Sequence, residues 1–197
     1  MNLKRLQAIR KTGNEEFHHD GDTMGFDLKG FWQWSASDLV SNTLRGVLAE
    51  YIVAKSLNIA DYEVRTEWAA FDLITPDGIK IEVKSASYLQ SWHQRKLSEI
   101  AFRIPRTQYW DANINQYEKD QRRHADVYVF SLLAHKDKAT IDPLNMNQWQ
   151  FYVLSTRILD DLGKIQKTLS LQSLEQLADP IGFHDIQEAV HRAVKMI

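Results

Sequence analysis

The stretch FDLITPDGIKIEVKSAS, residues 71–87, decides the fold of this chain, because it reads as two apolar strands joined by a tight turn. Its Pro-Asp-Gly sequence at 76–78 is typical of a three-residue hairpin loop, in which proline fixes φ and glycine adopts the left-handed conformation. The loop pairs Thr75 with Ile79, and the rest of the antiparallel register follows by counting outward from this pair. The stretch therefore predicts a β-hairpin with a defined register.

Two carboxylates and a lysine occur within this apolar hairpin. The predicted register places Asp72 directly opposite Glu82, and because side chains alternate along a strand, Lys84 lies on the same face as both. We therefore expect one face of the hairpin to carry charge and the other to belong to the core. The residues predicted for the core face are Phe71, Leu73, Ile79, Ile81 and Val83.

The opposed carboxylates of Asp72 and Glu82 need a compensating charge. Directly opposed residues have Cβ atoms roughly 4.5–5.5 Å apart, and like charges in that position destabilise a sheet. A hard divalent cation such as Mg²⁺ would compensate them, since it binds one or two carboxylates and keeps positions for water and phosphate oxygens. Lys84 could then reach such a water or phosphate oxygen. A solvated hairpin face, with all its charges in water, is an equally acceptable interpretation at this point.

Length and composition indicate one globular domain without disulfides. The chain has 197 residues, of which 44% are hydrophobic, enough to bury one core. It contains no cysteine, which excludes thiol catalysis and cysteine-ligated zinc. Its formal net charge of -2 gives no overall basic field, so nucleic acid would have to bind at a local patch. The N-terminal segment lacks an apolar h-region and no apolar run is long enough to span a membrane, so we expect a cytoplasmic protein.

Hydrophobic periodicity predicts one long helix and several strands. Ser37 is typical of a helix N-cap, and the apolar stripe that follows extends to about residue 57. A continuous apolar run at 126–134 predicts a strand buried on both faces. The other predicted strands lie at about 62–66, 70–75, 79–87, 99–104 and 149–155. The predicted organisation is an N-terminal segment packed on the core (1–36), the core (37–157) and a C-terminal helical appendage (158–197).

The predicted helix carries one carboxylate among small residues. Glu50 lies one turn after Gly46 and one turn before Ala54, so the helix surface around it would allow close approach to a sheet. Glu50 could therefore project toward the charged hairpin face as a third carboxylate. An exposed helical glutamate without such a role is the alternative.

The order of these elements resembles the PD-(D/E)XK phosphodiesterase superfamily, the restriction-endonuclease-like nucleases. The matching features are Glu50 in RGVLAEYIVAKSLN, then Asp72, nine residues, and the triplet at 82–84, within roughly residues 40–155. Phe71 stands where the name of the motif has proline, at a position that holds no metal. The resemblance implies an α/β fold with a restriction-endonuclease-like core, in which a central mixed β-sheet of about five strands is flanked by helices.

The same resemblance implies hydrolysis of nucleic-acid phosphodiester bonds with Mg²⁺ as cofactor, or Mn²⁺ as its substitute, on DNA more than on RNA. Asp72 and Glu82 would hold the metal together with the Val83 carbonyl. Lys84 would position the water and offset charge in the transition state. Glu50 would bind a second metal ion or a water of the first.

Contacts with the substrate would come from a local basic and aromatic segment. Between residues 88 and 124, arginines and lysines are interleaved with tyrosines and tryptophans, a composition suited to binding a backbone and stacking on unpaired bases. An ordinary mixed surface with buried aromatics is the alternative. The candidates that follow the triplet most directly are Ser85, Ser87, Gln90, Trp92, Arg95 and Lys96.

Three classes of function stay open at the level of sequence. The first is an active nuclease, and the second is a non-catalytic nucleic-acid-binding protein that keeps the nuclease fold. The third is a structural or partner-binding protein in which the charged hairpin face is a coincidence. The intact Asp72, Glu82 and Lys84 favour the first class over the second. The expected partner is nucleic acid, with DNA ahead of RNA; no membrane is expected, and a homodimer is left open.

Overall fold

The structure, a computed structural model, describes residues 6–62, 64–66, 69–111, 116–163 and 165–195. It has the expected α/β character, with a mixed sheet of four strands at its centre. The strands are β1 (Glu16–His19), β2 (Asp22–Asp27), β3 (Leu73–Ile74), β4 (Lys80–Ser87), β5 (Ala101–Arg103), β6 (Trp110–Asp111), β7 (Gln116–Tyr117), β8 (Val127–Leu133), β9 (Trp149–Ser155) and β10 (Thr168–Ser170). The helices are α1 (Leu28–Ser35), α2 (Asn42–Ser56), α3 (Thr156–Asp161), α4 (Leu171–Glu175) and α5 (Ile186–Lys195).

The hairpin formed by β3 and β4 has the predicted register. Leu73 pairs with Ile81 and Ile74 with Lys80, and Gly78 in the turn has a φ of 89°, in the left-handed region. β4 is parallel to β8, and β8 is antiparallel to β9, so the order across the sheet is β3-β4-β8-β9. The predicted mixed sheet is therefore confirmed, with four strands instead of about five.

Two predicted strands are not part of this central sheet. Of the strand predicted at 62–66, residues 62 and 64–66 form no strand, and residue 63 lies outside the described residues. The segment predicted at 99–104 contains β5, which pairs with β10 in a separate sheet of two strands. Alternation correctly predicts that this segment is extended, but a period of two does not specify which strand is its partner.

The central sheet is covered on both faces. On one face, α2 and α5 enclose a first core; on the other, β5, β10, α3 and α4 enclose a second. β8 is buried along its whole length, as its apolar sequence predicts. The sheet residues of the first core are Ile81, Val83, Val127, Val129, Leu133, Trp149 and Phe151, and those of the second are Ala86, Tyr128, Phe130, Leu132, Tyr152 and Leu154.

This arrangement corrects the prediction of one apolar and one charged face. Glu82 and Lys84 are partly exposed, but Ala86, two residues further on the same face of β4, is buried in the second core. Phe71 also packs against the second core, whereas Leu73 packs against the first, although both were predicted on one face. The reason is that β3 begins only at Leu73, so strict alternation does not extend back to Phe71.

Helix α2 begins later than the sequence predicts and lies against the sheet. Its N-cap is Ser41, whose Oγ accepts a hydrogen bond from the Leu44 N–H at 3.4 Å. Ser37, the predicted cap, instead donates a hydrogen bond to the Gln33 carbonyl near the end of α1. Ala49 is buried in the first core, and Glu50, the next residue, lines the same cleft as Asp72 of the hairpin.

The two ends of the chain differ in how they meet the core. Residues 16–35 form β1, β2 and α1, and none of these elements contains a buried residue. By contrast, Ile186, Val190 and Ala193 of α5 are buried in the first core. The boundaries at 36 and 157 stay predictions. Among the described helices, none is both long and apolar enough to cross a membrane.

Candidate active site

The hairpin register brings the Asp72 carboxylate to the edge of β4, next to Glu82 and Val83. The Val83 N–H donates a hydrogen bond to Asp72 Oδ2 at 2.7 Å, which holds the carboxylate against the strand. The Glu82 side chain is 19% exposed, and its charge acts directly on Asp72. The two carboxylates that the sequence places opposite each other are therefore close in space and partly shielded from water.

This shielding changes the acidity of Asp72. Burial, followed by the negative charge of Glu82, raises the pKa of Asp72 to about 7, and the charge of Glu50 adds a smaller effect in the same direction. The hydrogen bond from the Val83 N–H and the charge of Lys84 act in the opposite direction without offsetting this rise. Near neutral pH Asp72 therefore takes up a proton, and a bound divalent cation could replace this proton.

Lys84 lies two residues after Glu82 on the same face of β4, as predicted. Its ammonium forms an ion pair with Glu82 Oε1, and 28% of its side chain is exposed. The pair lies where the charged start of β4 gives way to the second core. Lys84 can therefore neutralise one carboxylate and still be reached by an anionic ligand.

Glu50 approaches the same site from α2, but an arginine that sequence analysis missed engages both of its oxygens. Arg65 Nε donates to Glu50 Oε2 at 2.5 Å, and Arg65 Nη2 donates to Oε1 at 3.0 Å. The Glu50 side chain is only 13% exposed, whereas that of Arg65 is 38% exposed, so the bidentate pair lies at the surface with its carboxylate side shielded. A Glu50 that bound a metal ion would have to exchange this pair for the ion.

The oxygen atoms at the site suit a hard divalent cation with few protein ligands. No three acidic, histidine or cysteine side chains in the described part of the chain lie close enough together to hold a metal ion. Mg²⁺, however, commonly binds through one or two carboxylates and keeps several waters, which Asp72 and Glu82 would suffice to provide. Since the N–H and C=O of a strand residue point to the same edge, the Val83 carbonyl lies on the side of Asp72. These donors fit Mg²⁺ chemically.

Tyr128 is a second residue of the site that sequence analysis missed. It lies on β8 beside Glu82 in the parallel register, and its side chain is buried. Burial, and then the charge of Glu82, raises the pKa of Tyr128 above its usual range, so its phenol stays protonated. In the sequence this tyrosine is part of the apolar run at 126–134, where an aromatic residue reads as ordinary core.

The first three predicted nucleic-acid contacts belong to a polar network around a buried arginine. Arg45 of α2 is 3% exposed, and its guanidinium donates to Ser85 Oγ at 3.3 Å and to Gln90 Oε1 at 3.4 Å. Ser87 and Gln90 are buried as well. This network connects α2 to the end of β4. The burial of Ser87 and Gln90 does not favour the direct contact with nucleic acid that is predicted for them.

The other three predicted contacts lie on the surface beyond the end of β4. Trp92 is 52% exposed, and Arg95 and Lys96 are exposed as well. Lys96 pairs with Glu99 at 3.3 Å, and such an exposed pair contributes little stability, so a phosphate could replace the glutamate. Trp92, Arg95 and Lys96 are therefore placed where a nucleic-acid backbone could reach them.

Part of the basic segment at 88–124 is structural. Arg123 is buried and donates to Asp160 Oδ1 at 2.5 Å, and Arg106 donates to the same oxygen at 2.7 Å. Arg122 forms a surface ion pair with Glu118. Each of these three arginines is thus already paired with a carboxylate, Asp160 or Glu118, which leaves a smaller basic surface than the sequence suggests.

A cleft of about 240 Å³ opens beside the carboxylates. Glu50 and Asp72 form part of its wall, and α2 and β3 supply apolar residues on its two sides. The cleft therefore offers a largely apolar surface next to the charged groups. Its apolar lining includes Val47, Tyr51, Ala54, Ile59, Leu73 and Ile74.

The comparison with known proteins identifies one family. The sequence profile described as bacteriophage T4 endonuclease IV matches residues 11–173, which is more than four fifths of the chain and includes every residue of the candidate site. No curated protein and no solved structure matches the chain. Membership of the PD-(D/E)XK superfamily stays a prediction. The chain belongs to the bacteriophage T4 endonuclease IV family, and so to a family of nucleases.

Proposed function

We propose that this protein is an endonuclease that hydrolyses phosphodiester bonds of DNA at the site formed by Asp72, Glu82 and Lys84. Its cofactor is Mg²⁺, with Mn²⁺ as a substitute, and its site is of the PD-(D/E)XK type. The observation that carries the proposal is the partly shielded pair of carboxylates beside a lysine, in a chain of an endonuclease family. Two carboxylates kept close together at a cost in stability need a functional reason, and a cation site provides one.

Asp72 and Glu82 would hold the ion, with the Val83 carbonyl as a further donor. When bound, Mg²⁺ polarises a phosphoryl oxygen and lowers the pKa of water. The Val83 N–H keeps Asp72 in place by its hydrogen bond, so the carboxylate does not have to be ordered when the ligand arrives. Glu50 plays an auxiliary part, because Arg65 already engages both of its oxygens.

Lys84 would act on the substrate itself. In the free protein its ammonium pairs with Glu82, on the face of β4 that carries the carboxylates. A DNA phosphate placed at the carboxylates would lie within reach of the same ammonium, which would offset the charge that develops on the phosphoryl oxygens. The protonated phenol of Tyr128, beside Glu82, adds no charge to this arrangement.

DNA would contact two surfaces around the site. Trp92, Arg95 and Lys96 are exposed and combine an aromatic ring with two cations, which suits contact with the backbone and a base. The cleft beside Asp72 is largely apolar, which suits a sugar or a base of the nucleotide next to the cleaved bond.

A cleavage assay tests the proposal. Wild-type protein is expected to cut DNA with Mg²⁺ or Mn²⁺ and to stop when the cation is removed by a chelator, while Asp72→Asn and Glu82→Gln lose activity. Asp77→Asn is the matched control, because Asp77 lies in the turn of the same hairpin and is exposed. Binding of DNA without cleavage in the presence of any divalent cation would favour a non-catalytic DNA-binding protein. Cleavage of RNA alone would show that the substrate is RNA instead of DNA.

A further inference from the structure

The N-terminal arm, residues 13–36, presents apolar side chains to solvent along its whole length. It comprises β1, β2 and α1, and none of the residues in these elements is buried. Soluble monomers rarely expose many large apolar side chains in one short segment, and such patches mark interaction surfaces. The exposed apolar side chains are Phe17 (40% exposed), Met24 (54%), Phe26 (50%), Phe31 (47%), Trp32 (41%) and Trp34 (85%).

The shape of the arm depends on backbone and capping hydrogen bonds. Two N–H groups at the start of α1 donate to carbonyls in residues 13–15 at 2.8 and 2.9 Å, and Asp27 caps the helix by accepting from the Gly30 N–H at 2.8 Å. Phe17 and Phe26 stack across the hairpin with ring centroids 4.6 Å apart. A two-stranded hairpin is at best marginally stable in water unless further structure covers it. The apolar side chains of the arm therefore need a cover from outside the arm.

The charge of the arm argues against nucleic acid as that cover. Carboxylates predominate, and a DNA or RNA backbone would be repelled by them, since binding of phosphates requires cations. A protein surface is the cover that fits. The charged side chains of the arm are Glu15, Glu16, Asp20, Asp22, Asp27 and Lys29.

The apolar area of the arm is of the size that a symmetric pair needs. With about 200 Å² for a fully exposed aromatic side chain, the five aromatic residues of the arm expose roughly 500 Å² per copy. Two copies together would bury about 1,000 Å², near the lower limit for a specific interface. An apolar patch can be complementary to itself, and two-fold dimers are the commonest assembly of identical chains, so the aromatic side chains would form the centre of the contact and the carboxylates of the arm its solvated rim.

We propose that the N-terminal arm is a dimer interface, through which two copies of this chain associate in a two-fold symmetric contact of their aromatic side chains. The interface lies on β1, β2 and α1, and Trp34, the most exposed of these aromatics, contributes the largest area. The proposal does not depend on the nuclease reaction, because it concerns none of the residues of the candidate site and its test needs neither cation nor DNA.

The first test is the molar mass of the protein in solution, by light scattering and by sedimentation over a dilution series. Wild type is expected to be a dimer that dissociates on dilution, and the double variant Phe26→Ser, Trp34→Ser to be a monomer at all concentrations. Ile165→Ser is the matched control, because Ile165 is 90% exposed outside the arm, and it should stay dimeric. A wild type that is monomeric throughout, or a double variant that dimerises like wild type, overturns the proposal.

The second test does not require an apolar substitution, so it holds even if the double variant folds poorly. The chain has no cysteine, so Thr23→Cys in β2 and Lys195→Cys in α5 each create a single thiol. A bismaleimide linker should join Thr23→Cys chains into covalent dimers in dilute solution and leave Lys195→Cys chains single. Equal yields of linked dimer at the two positions would overturn the proposal. It would also be overturned if wild type and the arm variant were both monomeric and the arm variant bound DNA more weakly than wild type.

Discussion

The raised pKa of Asp72 predicts that this residue destabilises the folded protein above neutral pH. In the unfolded chain an aspartate has a pKa of about 3.9, whereas in the folded protein Asp72 has a pKa of about 7. Between these two values the folded state keeps a proton that the unfolded state has lost. As pH rises through this window, the free energy of unfolding falls, and the stabilisation associated with the proton is lost once pH passes 7.

The size of the effect follows from the two pKa values. Each unit of difference corresponds to about 1.4 kcal/mol, so the loss is about 2 kcal/mol at pH 5.5 and about 4 kcal/mol at pH 8. Asp72→Asn removes the titration and keeps an oxygen that can accept the hydrogen bond from the Val83 N–H. We therefore expect Asp72→Asn to be more stable than wild type, by about 2 kcal/mol more at pH 8 than at pH 5.5.

Urea unfolding at the two pH values, in the absence of divalent cations, measures this difference. Asp77→Asn is the control, since hydrogen bonding to Thr75 lowers the pKa of Asp77 and the substitution should bring no gain at high pH. Added Mg²⁺ should stabilise wild type at pH 8, because the bound ion offsets the repulsion between the Asp72 and Glu82 carboxylates. It should leave the stability of Asp72→Asn nearly unchanged, because this variant lacks one of the two carboxylates. A stability difference between Asp72→Asn and wild type that is the same at both pH values would refute the reasoning.

Three further sets of variants address the remaining charged residues. Lys84→Ala should lower the cleavage rate by about 10²-fold or more with Mg²⁺ binding and folding nearly intact, and Lys84→Arg should restore little, in single-turnover cleavage and calorimetry. Arg65→Gln should raise the calorimetric affinity for Mg²⁺ several-fold, because it releases Glu50, and adding Glu50→Gln should abolish the gain. Charge reversal at Arg95 and Lys96 should weaken DNA binding across sequences and reduce the salt slope by about 2 in an anisotropy titration.

Each of these variants has a control and an outcome against it. Lys80→Ala, in the same strand as Lys84, should cleave at nearly the wild-type rate, and Lys195→Glu on α5 should leave DNA binding unchanged. Cleavage by Lys84→Ala at the wild-type rate would show that Lys84 takes no part in the reaction. An unaltered affinity for Mg²⁺ in Arg65→Gln would exclude Glu50 as a ligand, and unaltered DNA binding after charge reversal would place the DNA surface elsewhere.

The sequence predicts the hairpin well because its register is a local property. A Pro-Asp-Gly turn determines the pairing of Leu73 with Ile81, and the side chains that follow are then placed by alternation. The prediction is wrong where the position of a residue depends on a contact with a distant part of the chain. Phe71 lies beyond the paired part of β3, and its position is set by packing on the second core. The partner of β5 is a strand more than 60 residues later, which periodicity cannot identify.

The same distinction applies to the candidate site. Asp72, Glu82 and Lys84 follow from the register of one hairpin, whereas Arg65 and Tyr128 come to the site through the packing of separate segments. Their residue types carry no signal in the sequence: an arginine among polar residues and a tyrosine in an apolar strand are both ordinary. Burial is likewise a property of the whole fold, which is why Ser87 and Gln90 read as surface candidates and lie inside.

The charges described at the site predict that cation and DNA bind cooperatively. Glu50, Asp72 and Glu82 contribute three negative charges when ionised, and Arg65 and Lys84 contribute two positive ones. A proton on Asp72 balances this set near neutral pH. A divalent cation in place of the proton would leave about one positive charge in excess, which one DNA phosphodiester would neutralise.

We therefore expect each ligand to raise the affinity for the other by the same factor, as linkage requires. Titrations of DNA with and without Ca²⁺, which takes the same kind of oxygen ligands, and of Ca²⁺ with and without DNA, measure this factor from both sides. Equal affinities in the presence and absence of the other ligand would show that the charges at the site do not govern binding.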